Sequence, residues 1–303
     1  MGGILTQVIL LEASGSLTAS YLIKAVQEAG YIALATDLTP ECYAIGLTSH
    51  FASMPKVSNP DLWKEVDTVL KENNVSIVIP SLDETLVEWA KRKQYFKEKK
   101  VEVILSDEEV IKVFQDKWLT YNFFIEHNIP TPKTSLNQEY EMIKPRFGRG
   151  SSGIYISNKV EDMEGQISQE VLNGIEYTID VFCDSSHEPV YIVPRERLNV
   201  KEGKSTAGLV VKHEKIEKYV RKICSATKFL GPINIQCFEM KNGDVKFIEV
   251  NPRIAGGMAL GFAATENWIP LMISNLIEGK RFEKVDIKYG LKMMRYYSEI
   301  FTY

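Results

Sequence analysis

The sequence predicts an α/β protein in which an N-terminal parallel sheet leads into a small β-rich lobe and then a larger α+β lobe. Three observations carry this. Short apolar runs alternate with helix-periodic segments as far as Leu105, the pattern of strands joined by crossover helices. The helical pattern stops at Ile129-Pro-Thr-Pro132, beyond which the elements become short and strand-like. Late in the chain, Asn234-Ile-Gln-Cys-Phe238 and Val245-Lys-Phe-Ile-Glu-Val-Asn-Pro-Arg253 flank the turn Lys241-Asn242-Gly243-Asp244 as a hairpin.

Taken in order, the first part reads as strand Gln7 to Leu11, helix Ser16 to Ala29, strand Tyr31 to Thr36, helix Asp61 to Asn73, strand Val75 to Pro80, helix Glu84 to Phe96 and strand Val101 to Leu105. The first turn, Glu12-Ala-Ser-Gly-Ser-Leu17, is either an anion site at a helix N-terminus or an ordinary tight turn. Ser106-Asp-Glu-Glu109 then caps a long helical pattern ending near Asn128. Strands follow at Met142 to Pro145, Gly153 to Ser157, Gly165 to Val171, Thr178 to Phe182 and Pro189 to Val193, with a helix from Ile216 to Phe229 before the hairpin. A helix from Ile269 to Glu278 and a strand in Lys292-Met-Met-Arg-Tyr-Tyr297 complete the pattern. The expected divisions are 1–106 for the parallel sheet, 107–129 for a helical linker, 130–172 for the small lobe and 173–303 for the large one.

With 303 residues, 45% of them hydrophobic, the chain can bury large cores in more than one subdomain. A net charge of -4 leaves no basic stripe for nucleic acid, and Lys97-Glu-Lys-Lys100 reads as a solvated helix end. The apolar runs are strand-sized and no basic-then-apolar signal precedes them, so a cytoplasmic protein with no membrane partner is expected. Cys42, Cys183, Cys224 and Cys237 lack Cys-x-x-Cys spacing and the histidines are scattered, which argues against a disulfide framework or zinc site and for reduced, packed thiols.

The hairpin carries the chemistry. It places Gln236 and Glu249 on adjacent strands, with Asn251 two residues further along the face of Glu249. These hard oxygen donors suit Mg²⁺ bridging nucleotide phosphates, and Arg253 lies just beyond as a fixed positive charge for a transferring phosphoryl group. Upstream, Gly148-Arg-Gly-Ser-Ser-Gly153 matches G-x-G-x-x-G, but a strand follows it where a dinucleotide fingerprint requires a helix, and no P-loop Lys-Ser/Thr follows. What remains is a strand, a glycine-rich flap and a strand. Backbone N–H groups at Gly148, Gly150 and Gly153 and the hydroxyls of Ser151 and Ser152 can lie over a polyphosphate, with Lys144 on the preceding strand as a point charge.

Gln236, Glu249, Asn251, Pro252 and Arg253, with Ile143-Lys-Pro-Arg-Phe-Gly-Arg-Gly-Ser-Ser-Gly153, resemble the metal-binding strand pair and flap of the ATP-grasp superfamily, in its carbamoyl-phosphate-synthase-like branch. The resemblance extends over nearly the whole chain. It implies an ATP-grasp fold: a Rossmann-like N-terminal domain, a small lid lobe and a C-terminal lobe. It further implies that Lys117 is the first nucleotide lysine, that Glu170, Val171 and Leu172 line an adenine pocket, and that Glu176 meets the ribose. Asp180 would face the centre of the site or simply point outward from its strand. Arg195, Arg197 and Thr206 would border the acyl phosphate, with surface positions as the alternative, and Ile254-Ala-Gly-Gly-Met258 would let substrate approach. The chain departs from the family where Lys144 follows Ser135 by nine positions and eleven residues separate Ser157 from Gln169, since relatives carry helices at both places. A trimmed lobe with a more mobile flap is expected.

The implied activity is ligation of a small-molecule carboxylate to an amine with ATP and Mg²⁺ or Mn²⁺, through an acyl phosphate. Lys144, Arg253 and Arg195 are the candidate catalytic residues, and a homodimer is possible. Phosphorylation of bicarbonate or carbamate with a partner, and ATP binding without turnover, are the competing readings.

Overall fold

The computed structural model describes residues 6–16, 19–150, 152–201, 204–296 and 298–302. The chain divides into two compact units, one of Met1–Leu105, Arg253–Lys284 and Tyr296–Tyr303, the other of Ser106–Pro252 and Val285–Arg295.

In the first unit, β1 (Val8–Leu11), β2 (Ile32–Asp37), β3 (Phe51–Ser53), β4 (Val75–Ile79) and β5 (Glu102–Val103) form a parallel sheet ordered β3-β2-β1-β4-β5. The chain steps outward from β1 and then returns to its other side, the doubly wound pattern. Every residue of β1 is buried, as a central parallel strand requires. The crossovers include α1 (Ala19–Glu28) and α2 (Leu62–Glu72), and α2 buries Leu62, Val66 and Leu70 at four-residue spacing. The single helix expected over Glu84 to Phe96 is two, α3 (Leu86–Lys91) and α4 (Lys93–Glu98), whose Trp89 and Phe96 rings pack at a tilt of 44° with centroids 5.1 Å apart. β3 was not foreseen, because Phe51-Ala-Ser53 is too short to show a period.

Glu12, just past the C-terminal end of the central strand β1, is a buried carboxylate that ties this end of the sheet to the segment after β4. Its oxygens accept from the Ser81 and Leu82 amides (2.9 and 3.2 Å), from Thr85 Oγ1 (3.0 Å) and from Trp89 Nε1 (2.6 Å). Burial raises its pKa against the pull of those donors. At the first turn, the Gly15 amide donates to Asp37 Oδ2 at 2.7 Å, and a Cβ on Gly15 would lie 3.0 Å from that oxygen. The turn is therefore closed by the chain's own carboxylate. Leu17 and Thr18 lie outside the described residues. The C-terminal portion of this unit contributes α8 (Ala259–Ala264), α9 (Trp268–Leu271) and a π-helical turn, Met272–Ile277, where one helix was expected from Ile269. It is anchored by Phe262 against Tyr21 (5.5 Å between centroids) and by Asn267 Nδ2 donating to the Ala25 carbonyl at 2.7 Å.

The second unit opens with α5 (Glu108–Gln115) and α6 (Lys117–Glu126). The long helical pattern breaks between them because Asp116 takes extended backbone, and its carboxylate accepts the Trp118 and Leu119 amides as an N-cap. β6 (Thr134–Ser135), β7 (Met142–Pro145), β8 (Tyr155–Ile156) and β9 (Gln166–Gln169) form an antiparallel sheet ordered β6-β9-β7-β8. Among the described residues of this lobe no helix intervenes, so it is as compact as the short spacings require.

The large sheet contains β10 (Gly174–Cys183), β11 (Pro189–Lys201), β12 (Lys204–Val210), β13 (Gly231–Met240), β14 (Val245–Asn251) and β15 (Lys292–Met294), ordered β14-β13-β10-β11-β12-β15. The polar stretch after Pro194, for which no strand was expected beyond Val193, is a long antiparallel hairpin. Its arginines find carboxylate partners on β10, so charge does not exclude them from a strand. Tyr177, Ile179, Val181, Ile233, Ile235, Cys237 and Phe247 pack with Phe114, Phe124 and Phe229, and with Ile216, Val220 and Ile223 of α7 (Glu214–Ser225), in one core. Cys183, Cys224 and Cys237 are buried free thiols and Cys42 is half-buried. Among the described residues no helix is long and apolar enough to cross a membrane.

Candidate functional site

Because alternate residues of β10 and β13 point into this core, the intervening ones fall on the opposite face. There Thr178 pairs with Gln236 and Asp180 with Asn234 across the two strands, and Gln236 and Asn234 pair with Glu249 and Asn251 of β14. Cross-strand partners share a face, so the register gathers the three expected metal ligands into one polar patch.

A bulge makes this possible. Cys237 pairs with Phe247 whereas Gln236 pairs with Glu249, leaving Ile248 as the extra residue on β14. Without it, Glu249 would follow Val245 and Phe247 onto the apolar face at two-residue spacing. The adjacent apolar pair Phe247-Ile248 was the sequence signal for it.

Two ion pairs frame the patch. Asp180 is fully buried and Arg195 is 3% exposed; Arg195 Nη2 lies 2.9 Å from Asp180 Oδ1 and Nε 2.6 Å from Oδ2, while Asn234 Nδ2 donates to Oδ1 at 2.8 Å. Arg197 is paired with Glu176, whose pKa is raised by burial, lowered by Arg197 and raised again by the charge of Glu249. Thr206 donates to the Asn199 carbonyl at 3.0 Å. Both arginines expected to border a substrate thus have their charge matched by a carboxylate on β10.

Lys144, on β7, is 6% exposed and its Nζ donates to Gln169 Oε1 at 2.8 Å. Burial pushes its pKa down to about 8, opposed by the charge of Glu249 and reinforced by that of Lys117. Lys144, Lys117 and Glu249, from β7, α6 and β14, are therefore within electrostatic reach of one another. The flap leaves β7 beside them. Gly148, Gly150 and Gly153 all have positive φ (116°, 65° and 72°), and a Cβ at Gly153 would meet Pro145 Cγ at 2.8 Å. Ser152 donates its amide to the Arg149 carbonyl, and Ser151 lies outside the described residues. Lys117 begins α6, and its Nζ donates to the Gly148 carbonyl at 2.9 Å.

Glu170, Val171 and Leu172 connect β9 to β10. Glu170 is spoken for by Lys246 and by the Lys133 amide (3.1 Å), and these outweigh burial to lower its pKa. Val171 is exposed.

Arg253 belongs to the first unit. Its Nε and Nη2 donate to Asp83 Oδ1 and Oδ2 at 2.8 and 2.7 Å, a two-pronged grip. Asp83 opens the turn that Glu12 holds.

The donor set fits Mg²⁺. Among the described residues no group of three or more His, Cys, Asp or Glu side chains could hold a metal. An ion at Glu249, Gln236 and Asn251 would thus depend on one carboxylate, amide oxygens and the oxygens of a ligand, as Mg²⁺ does with phosphates.

Residues 162–298, which include this patch, match the family model described as ATP-grasp in the biosynthetic pathway with Ter operon. The chain carries an ATP-grasp domain. Residues 9–104 match the PylC-like, N-terminal domain. Over an alignment of 203 residues the chain is 24% identical to the carbamoyl phosphate synthase large chain of Archaeoglobus fulgidus, taking in 55% of this chain but only 19% of that relative. It shares its fold with N5-carboxyaminoimidazole synthetase from Staphylococcus aureus complexed with ADP, with a TM-score of 0.74 at 14% identity, covering 96% of this chain and 83% of the other. It also resembles the biotin carboxylase domain of Hydrogenobacter thermophilus 2-oxoglutarate carboxylase, solved as a dimer with MgADP, ADP and bicarbonate (TM-score 0.71, 15% identity, 94% and 73% covered).

Sequence reasoning missed Gln169, Asn234, Asp83 and the Arg146 partnership with Asp116. Alternation along β13 would have found Asn234, two residues before Gln236. Nothing local announces Asp83, which lies 170 positions from Arg253.

Proposed function

We propose that the protein is an ATP- and Mg²⁺-dependent ligase that joins a carboxylate to an amine through an acyl phosphate, releasing ADP and phosphate. The observation that carries this reading is the convergence of a buried lysine, Lys144, with Lys117 and Glu249 beside a glycine-rich flap. A desolvated ammonium that still feels a carboxylate is suited to a polyphosphate brought in with its own cation.

Gly148, Gly150, Ser151, Ser152 and Gly153 would cover the phosphates, Lys117 and Lys144 would pair with them, and Glu170, Val171, Leu172 and Glu176 would hold the nucleoside. Gln236, Glu249 and Asn251 would hold Mg²⁺, which neutralises phosphate charge when bound. The carboxylate oxygen attacks the γ-phosphorus as the bond to the β–γ bridging oxygen breaks, and ADP leaves. Lys144 and Arg253 would offset the charge on the phosphoryl oxygens through that step. The amine then adds to the acyl carbon and expels phosphate. Arg195 would act through Asp180 as a positioning residue. A homodimer is part of the reading, in keeping with the dimer described for the biotin carboxylase relative.

The test is ADP release with Mg-ATP and pooled carboxylates and amines. Release that depends on both Mg²⁺ and a carboxylate supports the ligase, and its absence with every pool removes it. Likeness to a biotin carboxylase solved with bicarbonate favours a second reading, bicarbonate phosphorylation. ADP release stimulated by bicarbonate alone would select it.

A further inference from the structure

Asp116 has been given only the capping of α6, yet it joins two parts of the proposed nucleotide site. Its carboxylate caps α6 through the Trp118 and Leu119 amides (2.9 and 3.3 Å). The same carboxylate receives Arg146 Nε on both oxygens at 2.8 Å, with Nη2 on Oδ2 as well. Asp116 is 3% exposed whereas the Arg146 side chain is 31% exposed, so this is a two-pronged pair whose carboxylate is shielded and whose guanidinium reaches solvent. The backbone repeats the link, since the Lys117 amide donates to the Arg146 carbonyl at 3.1 Å and the Arg146 amide to the Gly165 carbonyl at 2.9 Å. Lys117 Nζ then reaches the Gly148 carbonyl, two residues beyond Arg146.

We propose that Asp116 is a positioning residue that fixes the root of the glycine-rich flap at Arg146 and, through the N-cap, sets Lys117 against it. Flap motion would begin beyond Arg146, at Phe147, whose ring Arg146 overlies at 5.6 Å. This rests on the nucleotide reading for its consequence but not for its geometry. A short lobe with no helix among its described residues to brace the flap obtains the bracing from a side-chain pair across to α6.

Asp116→Asn keeps a good capping residue while removing the charge that holds Arg146. In the protein without nucleotide, hydrogen exchange at the Lys117 and Arg146 amides and through 147–153 should quicken roughly tenfold in Asp116→Asn and in Arg146→Met, and no further in the double variant, since the residues act as one pair. Mg-ATP affinity should fall roughly tenfold in the same variants, measured well below their melting temperatures, with unchanged kcat at saturating ATP. A merely structural Asp116 would lower the melting temperature and leave both readouts within twofold of wild type, which overturns the proposal. If the wild type binds no Mg-ATP, the nucleotide reading fails while the exchange experiment still decides the role of Asp116.

Discussion

Asp180 and Arg195 form a buried ion pair on the polar face of the large sheet, 2.6 and 2.9 Å apart at their two contacts. Removing one partner strands the other charge in a water-excluded site. Arg195→Met should therefore destabilise the protein by about 3–5 kcal/mol, and Asp180→Asn with Arg195→Met should recover most of it. Calorimetry of both variants checks this. A stable single variant lacking activity would instead mark Arg195 as contacting substrate directly.

How far the sequence reached depends on how local each feature was. The parallel sheet was legible, β3 apart, because its other strands lie in short apolar runs. Gln236, Glu249 and Asn251 could be placed on adjacent strands because a turn marks the hairpin, but their shared face depends on the bulge at Ile248, which turn register alone does not supply. The split at Asp116 was hidden because the apolar pattern runs on through both helices, and the capping signal is a single side chain. The β11–β12 hairpin was hidden because Arg195 and Arg197 look like loop residues until Asp180 and Glu176 are seen opposite them.

Glu249→Gln retains shape and removes the one carboxylate of the proposed metal set. Mg²⁺-dependent turnover should fall by at least two orders of magnitude, on the scale of a charge-stabilising group lost from a transition state, while nucleotide binding measured without metal survives. Near-normal ADP production would show that the metal lies elsewhere.

Lys144 makes the effect of pH on affinity opposite to its effect on stability. Its folded pKa, about 8, lies below the ordinary 10.5, so between those values the unfolded chain binds more protons and stability rises with pH. Relative to Lys144→Met, the wild type should gain stability across that window, about 1.4 kcal/mol for each tenfold change in proton affinity. Phosphate pairing needs the charged form, so kcat/KM for ATP should fall as pH rises through about 8. A profile flat from pH 7 to 10 would remove Lys144 from the nucleotide site (both limits bracketing roughly the lysine range).

The flap glycines should not be equivalent. An alanine at Gly150 meets nothing within 4 Å and bears only its positive φ, whereas at Gly153 it also runs into Pro145. Gly150→Ala should cost about 1 kcal/mol in ATP binding, and Gly153→Ala more, by isothermal titration. The reverse order would show that the flap rearranges at Gly153 before it meets nucleotide.

Hydroxylamine trapping reaches the proposed intermediate itself. With Mg-ATP and the correct carboxylate present, hydroxylamine in place of the amine should intercept an acyl phosphate as a hydroxamate, in equal amount to the ADP formed. Arg253→Ala should lose both products together, since its assigned step precedes amine attack. Carboxylate-stimulated ADP release with no hydroxamate, and a stable phosphorylated product accumulating instead, would contradict the ligase and leave a kinase.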